Sequence, residues 1–326
     1  MRLLISFLFF FSFGVSVFGA NIKAYATNPP LSFMLYIISP ESMIGLPYKP
    51  YKEDLTFLLP SVSKLPVIGM VGGGKEINLE MLLSKKPSIV FVSHSMKDSA
   101  TDFEEKLKKF NIKVVYLKSQ NIIESLDSMV IMGEYLGKKE RALALKNYAL
   151  DLLKDLESKK VTNYPSVYFA QGISGLESEC GDGSINDVAK NIGGTNIIQC
   201  DDLADSVKNG RISINIERII ERNPSFIFVR EIAFYNELKA NPPIKWRNIS
   251  AIKNNKVYYA PSSPSNWLSR PPSLMRIIGF PWAFNIIHPE IDLGFDLNAK
   301  IKEFYALFLH YENLSDEDIE RLEKGE

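Results

Sequence analysis

Apolar and polar positions alternate along this chain in two registers, and one combination of them occurs twice. From Ile77 the chain reads "INLEMLLSKKPSIVFV", and from Ile214 it reads "INIERIIERNPSFIFV". Each copy opens with apolar residues at helical spacing behind an asparagine suited to cap a helix. A basic residue and then Pro87 or Pro224 stop that helix. An unbroken apolar run follows, the signature of a strand covered on both faces in a parallel sheet. Seven of the sixteen positions are identical. The copies lie 137 residues apart, a period too long for a solenoid and suited to a duplicated lobe.

The correspondence extends in both directions. Upstream, "IKAYATNPP" near Ile22 matches "SVYFAQGIS" near Ser166; downstream, "KVVYLKS" at Lys113 matches "KVYYAPS" at Lys256, each behind a helical stretch. Strands alternating with helices predict an α/β protein of two Rossmann-like lobes with mostly parallel sheets. The lobes are expected at 21–121 and 164–314. Between them, 122–163 is strongly helical and free of proline up to Asn163, which predicts one long rigid connecting helix, straight or kinked, weakened at Gly133 and Gly137. "SDEDIERLEKGE" predicts a capped surface helix over 315–326.

At the N-terminus one arginine precedes an apolar run from Leu3 to Phe13 and small residues ending at Gly19-Ala20. This is the pattern of a secretory signal peptide over 1–20, with a membrane anchor as the alternative; a spanning helix needs roughly 20 apolar residues. A soluble, exported protein is expected, with the bacterial periplasm as its address. In that oxidising setting the pair Cys180 and Cys200 favours a disulfide, with metal ligation by either thiolate as the alternative. The formal net charge of zero argues against a nucleic-acid partner.

Familiar catalytic signatures are missing. "GMVGGGK" begins like a phosphate loop, but Glu76 stands where a magnesium-holding Ser or Thr is required, so a glycine-rich turn is expected. There is no G-x-S-x-G, H-E-x-x-H or C-x-x-C. An exported enzyme acting on a bulky cofactor would have only Glu177, Glu179 and Asp182 as clustered acids, with three histidines in the chain. His288 is expected at a helix end and His310 on a surface or packing position. His94 follows a predicted parallel strand, at the sheet end where open α/β folds place ligands. One imidazole there could complete the coordination of a chelated metal, or could simply serve a loop. A naked-ion site would need several histidines.

The signal sequence, the two lobes, the helical connector, "GISGLESECGDGSINDVAKNIGGTNI" and "NWLSRPPSLMRIIGFPWAFNIIHPE" together resemble the class III periplasmic substrate-binding proteins of ABC importers. The resemblance implies a non-enzymatic, monomeric binder of a metal chelate, nickel or iron complexes foremost, with cobalamin, haem and molybdate behind, and no cofactor of its own. It also implies that Glu80 and Glu217, one per lobe at matching positions, dock onto an inner-membrane permease dimer. The alternative is that each glutamate simply favours the first turn of its own helix through the dipole, and the repeat favours docking over it. Ligand contacts are expected from Asn28, Pro30, His94, Gln171, Gly172, Arg230, Trp267 and Arg270, all at or beyond strand ends. Many relatives carry a histidine shortly after the position of Ser184; here Ile185 and Asn186 follow it.

Overall fold

The structure is a computed structural model that describes residues 22–72, 76–180, 183–200 and 211–326. The signal-peptide segment, Asp182 and the last three residues of "GMVGGGK" lie outside them.

The first lobe is a parallel sheet of β1 (Ala24–Ala26), β2 (Ile89–Ser93) and β3 (Lys113–Leu117), in that order. Ala24 registers with Ile89, and Val90 with Val114. Helices α1 (Pro29–Ile38), α2 (Leu79–Ser84) and α3 (Thr101–Lys108) accompany it. The second lobe carries β4 (Ser166–Ala170), β6 (Thr195–Asn196), β8 (Phe226–Val229) and β9 (Val257–Tyr259) in the parallel order β6-β4-β8-β9. A short antiparallel pair, β5 (Glu177–Glu179) with β7 (Arg211–Ser213), sits beside it. The helices of this lobe are α6 (Ser184–Asn191), α7 (Ile216–Arg222), α8 (Ile232–Ala240) and α9 (Ser250–Lys253).

The repeated phrase folds the same way twice. Asn78 caps α2 by accepting from Met81 N at 2.9 Å, and Asn215 caps α7 by accepting from Arg218 N at 2.9 Å. Both helices end in a left-handed residue, Lys86 (φ 52°) or Asn223 (φ 43°), directly before the proline. That reversal aims the following apolar run into the sheet.

Period-two alternation explains why the lobes form one body. Ala24, Ala26, Ile89 and Phe91 point to the same apolar core as Val167, Phe169, Phe226 and Phe228. Their neighbours face outward into separate clusters: Tyr25, Val90 and Val92 in the first lobe, Tyr168, Ile227 and Val229 in the second. The shared core is filled by α1, α4 (Ile122–Tyr135), α5 (Lys139–Glu157), α10 (Arg276–Ile287) and α11 (Leu297–Leu309). Helix α10 is buried on nearly every side, as its almost wholly apolar sequence requires.

One expectation needs correction. The connector over 122–163 is two helices, α4 and α5, which pack against one another. Gly137 at φ 67° ends the first, and at Gly133 a Cβ would lie 2.6 Å from Ala142 Cβ. The helices close in where glycine removes the side chain. The 164–314 unit also reaches back to the first lobe. Tyr36 donates to Leu309 O at 2.6 Å, and Arg141 reaches both Ile37 O and Leu307 O, tying α11 to the first lobe. The final helix, α12 (Asp316–Lys324), has the expected capping box at Ser315, but Ile319 and Leu322 are buried and Trp282 Nε1 donates to Glu323 at 2.9 Å.

Candidate functional site

Both parallel sheets end their strands on loops that carry the polar candidates, and each loop has its own local logic. After β1, Asn28 accepts from Leu31 N at 3.1 Å and Pro29 and Pro30 begin α1. This is a capped, proline-initiated helix start, so Asn28 and Pro30 already have a structural role there. After β2, Ser93 and Ser95 share a hydroxyl contact at 2.9 Å while His94 between them is exposed and opens a short 3-10 turn.

In the second lobe the chain leaves β4 through Gln171, which is buried and exchanges two backbone hydrogen bonds with Glu177, each 2.9 Å. The loop between them turns on Gly172 (φ 76°) and Gly175 (φ 68°). A Cβ on Gly172 would meet the Glu177 carboxylate at 2.8 Å, and one on Gly175 would overlap the Phe234 ring. Ile173 at the tip is 91% exposed, an unusual place for a large apolar side chain.

Gln171, Arg230 and Arg270 are brought together. Arg270 donates to Gln171 Oε1 at 2.7 Å, and Gln171 donates to Ser269 Oγ at 3.2 Å. Arg230 donates through Nε to Arg270 O at 2.9 Å. Each cation carries its own anions: Arg230 meets Glu231 at 2.5 Å, and Arg270 lies 3.7 Å from Glu177 and 3.8 Å from Glu179. Glu179 also accepts from Ser184 Oγ at 2.7 Å. Three carboxylates therefore face two guanidinium groups. Glu177 and Glu179 are ion-pair partners here, which gives them a role other than acid–base catalysis. One Glu231 oxygen is buried without a hydrogen-bond partner.

Trp267 is a correction. It is fully buried, edge-on to Trp282 at 5.9 Å and to Tyr305 at 6.5 Å, so it cannot stack on a ligand. An apolar ring adjoining a tight turn is drawn into the core once α10 passes beneath it. His288 closes α10 and contacts Gly193 O at 3.0 Å, and His310 ends α11 against the Tyr36 ring. Cys180 and Cys200 are joined by a disulfide.

Glu80 and Glu217 occupy the first turns of α2 and α7 and are exposed. They differ in company. Glu217 meets Lys245 at 2.7 Å, and that hydrogen bond lowers its pKa from the ordinary value, whereas Glu80 has no ion-pair partner among the described residues.

Asp54 gave no signal in the sequence. It is buried on the segment between α1 and α2, accepts from Tyr51 N at 3.3 Å, and accepts from Ser263 Oγ of the other lobe at 3.0 Å. It sits in "YKPYKED", where no periodicity marks an inward position; the clustered prolines and tyrosines were the available sign.

A family model described as periplasmic binding protein matches residues 52–264. Among solved structures, an ABC transporter solute binding protein from Sulfurospirillum deleyianum superposes with a TM-score of 0.81 at 29% identity, covering 93% of this chain and 94% of that one. The molybdate-binding protein MolA of Haemophilus influenzae is 23% identical over 282 residues, 75% of this chain and 73% of the relative. The Fe(3+)-citrate-binding protein YfmC of Bacillus subtilis is 26% identical over 200 residues, 58% of each chain. Among the described residues no helix is long and apolar enough to cross a membrane.

Proposed function

The chain belongs to the periplasmic binding protein family and is a solute-binding protein of an ABC transporter, and on that premise we propose that its cargo is a metal chelate of low net negative charge. Nickel or iron complexes lead. The observation that carries this reading is the charge pattern of the second lobe, where Glu177, Glu179 and Glu231 already neutralise Arg230 and Arg270. A strongly anionic ligand would have to displace those carboxylates, and the cost is greatest at Arg270–Glu179, where both side chains are largely withdrawn from water. A neutral or weakly charged chelate meets hydrogen-bond donors and acceptors without that exchange.

The exposed imidazole of His94 is the group we assign to the metal or to a chelator donor. Ile173 and Gly172 supply the apolar rim and close backbone on the opposite lobe. Capture needs shape and a few polar contacts and no bond chemistry. Delivery is assigned to Glu80 and Glu217, which present one carboxylate per lobe to the inner-membrane permease from the periplasm.

Calorimetric titration tests the cargo. The purified protein is titrated with nickel in excess histidine, ferric citrate, a ferric catecholate, cobalamin, haem and molybdate, alongside His94→Ala. Calorimetry is preferred to fluorescence because Trp246, Trp267 and Trp282 are all buried in the core. The expected result is that a chelate of low net charge, the nickel–histidine complex foremost, binds at least about tenfold tighter than molybdate or the strongly anionic ferric catecholate, a gap of about 1.4 kcal/mol. His94→Ala should weaken that chelate about tenfold while leaving the melting temperature in place. Molybdate as the tightest ligand would contradict the charge argument, and unchanged chelate affinity would remove His94 from the contact.

A further inference from the structure

Between α1 and the segment that follows it lies a half-open pocket, with an enclosed cavity of about 40 Å³, that the cargo assignment does not use. Its wall is apolar and aromatic, with Phe33, Tyr36, Pro47 and Tyr48 from the first lobe and Pro264 from the second. Pro29, just beyond the β1 end, also lines it, so the cavity reaches the strand-end side of the fold.

One charge lies in that wall. Asp54 is 7% exposed, and no lysine or arginine among the described residues pairs with it. Each of its oxygens accepts one hydrogen bond, from Ser263 Oγ and from Tyr51 N, which leaves further lone pairs open. Two single bonds are thin compensation for a buried carboxylate, since a charge removed from water is normally held by a counter-ion. The Tyr48 hydroxyl beside it has no hydrogen-bond partner among the described residues. The aromatic rings of Phe33, Tyr36 and Tyr48 line the same wall, and an aromatic ring attracts a cation placed over it.

We propose that this cavity is a second binding site, one that takes a small apolar ammonium group with Asp54 as its counter-ion. The same chemistry could belong to a free amine or to an amine-bearing arm of the cargo chelate. Burial, with Glu53 adding to it, raises the Asp54 carboxyl to about 6, so the site is anionic at pH 7.5 and largely neutral at pH 5. The other titratable groups around it are Tyr48, Tyr259 and Tyr305, whose hydroxyls burial holds uncharged, while Tyr51, Lys49 and Lys52 on the same segment are exposed.

Benzylammonium and its uncharged counterpart benzyl alcohol are the probes, followed by NMR of the full protein through the Met43 methyl group, which lines the cavity. At pH 7.5 the cation should bind about tenfold tighter than the alcohol, a preference of about 1.4 kcal/mol. The preference should shrink to about threefold or less at pH 5, and to the same extent in Asp54→Asn at pH 7.5. The pH comparison on the unaltered protein stands even where the variant folds poorly. Equal binding of the two probes at pH 7.5, no Met43 shift with either, or a preference retained in Asp54→Asn would each overturn the proposal. Adding the nickel–histidine complex separates the sources: exclusion of benzylammonium makes the site an arm of the cargo cleft, and simultaneous binding makes it independent. Failure here leaves the calorimetric cargo result unaffected, so the two readings fall separately.

Discussion

Gly279→Ala is expected to lose about 3 kcal/mol of stability or more, beyond what an ordinary overpacked position costs. Gly279 lies in the first turn of α10, and a Cβ built there would sit 1.9 Å from Trp267 O and 2.7 Å from Trp267 C. Those are backbone atoms, so no side chain can swing aside. Either the helix or the "SSPSNWLSRPP" segment must move, and Trp267 is packed against Trp282 and Tyr305 in the shared core. Total stabilities are about 5–15 kcal/mol, so a large share would go. Urea unfolding reads this as a lower midpoint with unchanged slope. An unchanged midpoint would mean that the close passage of α10 under Trp267 is wrong.

The second large effect is expected at Arg276, which is fully buried at the start of the same helix. It donates to Asp187 Oδ2 at 2.9 Å, Gln120 O at 3.1 Å, Ser125 Oγ at 3.3 Å and Ser273 O at 3.2 Å. The same Asp187 oxygen accepts from Ile122 N at 2.9 Å. One buried ion pair thus joins the end of the first lobe, the start of α4, α6 of the second lobe and α10. Burial pushes the Asp187 carboxyl up and the Arg276 guanidinium down, and each keeps its charge because the other is its counter-ion. Arg276→Met removes one partner and strands the other, at an expected cost of about 3–5 kcal/mol. Adding Asp187→Leu should recover part of that loss, because it removes the stranded charge, although Ile122 N then loses its acceptor. Thermal or urea unfolding of the two single variants and the double gives the coupling. A double variant no more stable than Arg276→Met alone would mean that geometry, rather than the stranded charge, sets the cost.

How much of this was legible in the sequence follows from the range of each signal. The repeated phrase encodes local events, an asparagine cap, a proline stop and a buried strand, and α2–β2 and α7–β8 form as read. The strand-end rule led to Gln171, Arg230 and Arg270, which meet through hydrogen bonds. It led to Trp267 as well, where it failed, because adjacency to a strand end does not say which way a ring points. The connector divides at Gly137 because its cost is repaid by α4 and α5 packing together, a contact between positions whose closeness no periodicity reveals. The shared core was hidden for the same reason. Alternation along each strand shows two covered faces, but not that the inner faces of both sheets cover each other's helices. Asp54 and its cavity depend on Ser263, 209 positions away, and lay beyond any local pattern.

The most direct test of the central claim is uptake of a radiolabelled nickel–histidine complex into proteoliposomes holding the cognate permease and its ATPase. Added outside with the purified protein, the complex should enter only when that protein is present. Uptake and the accompanying ATP hydrolysis should be lost with the double variant Glu80→Arg/Glu217→Arg, whose affinity for the complex stays within about twofold of the original. Uptake that proceeds without the protein, or that is indifferent to reversing both carboxylates, would contradict capture by the two lobes and delivery through their paired glutamates.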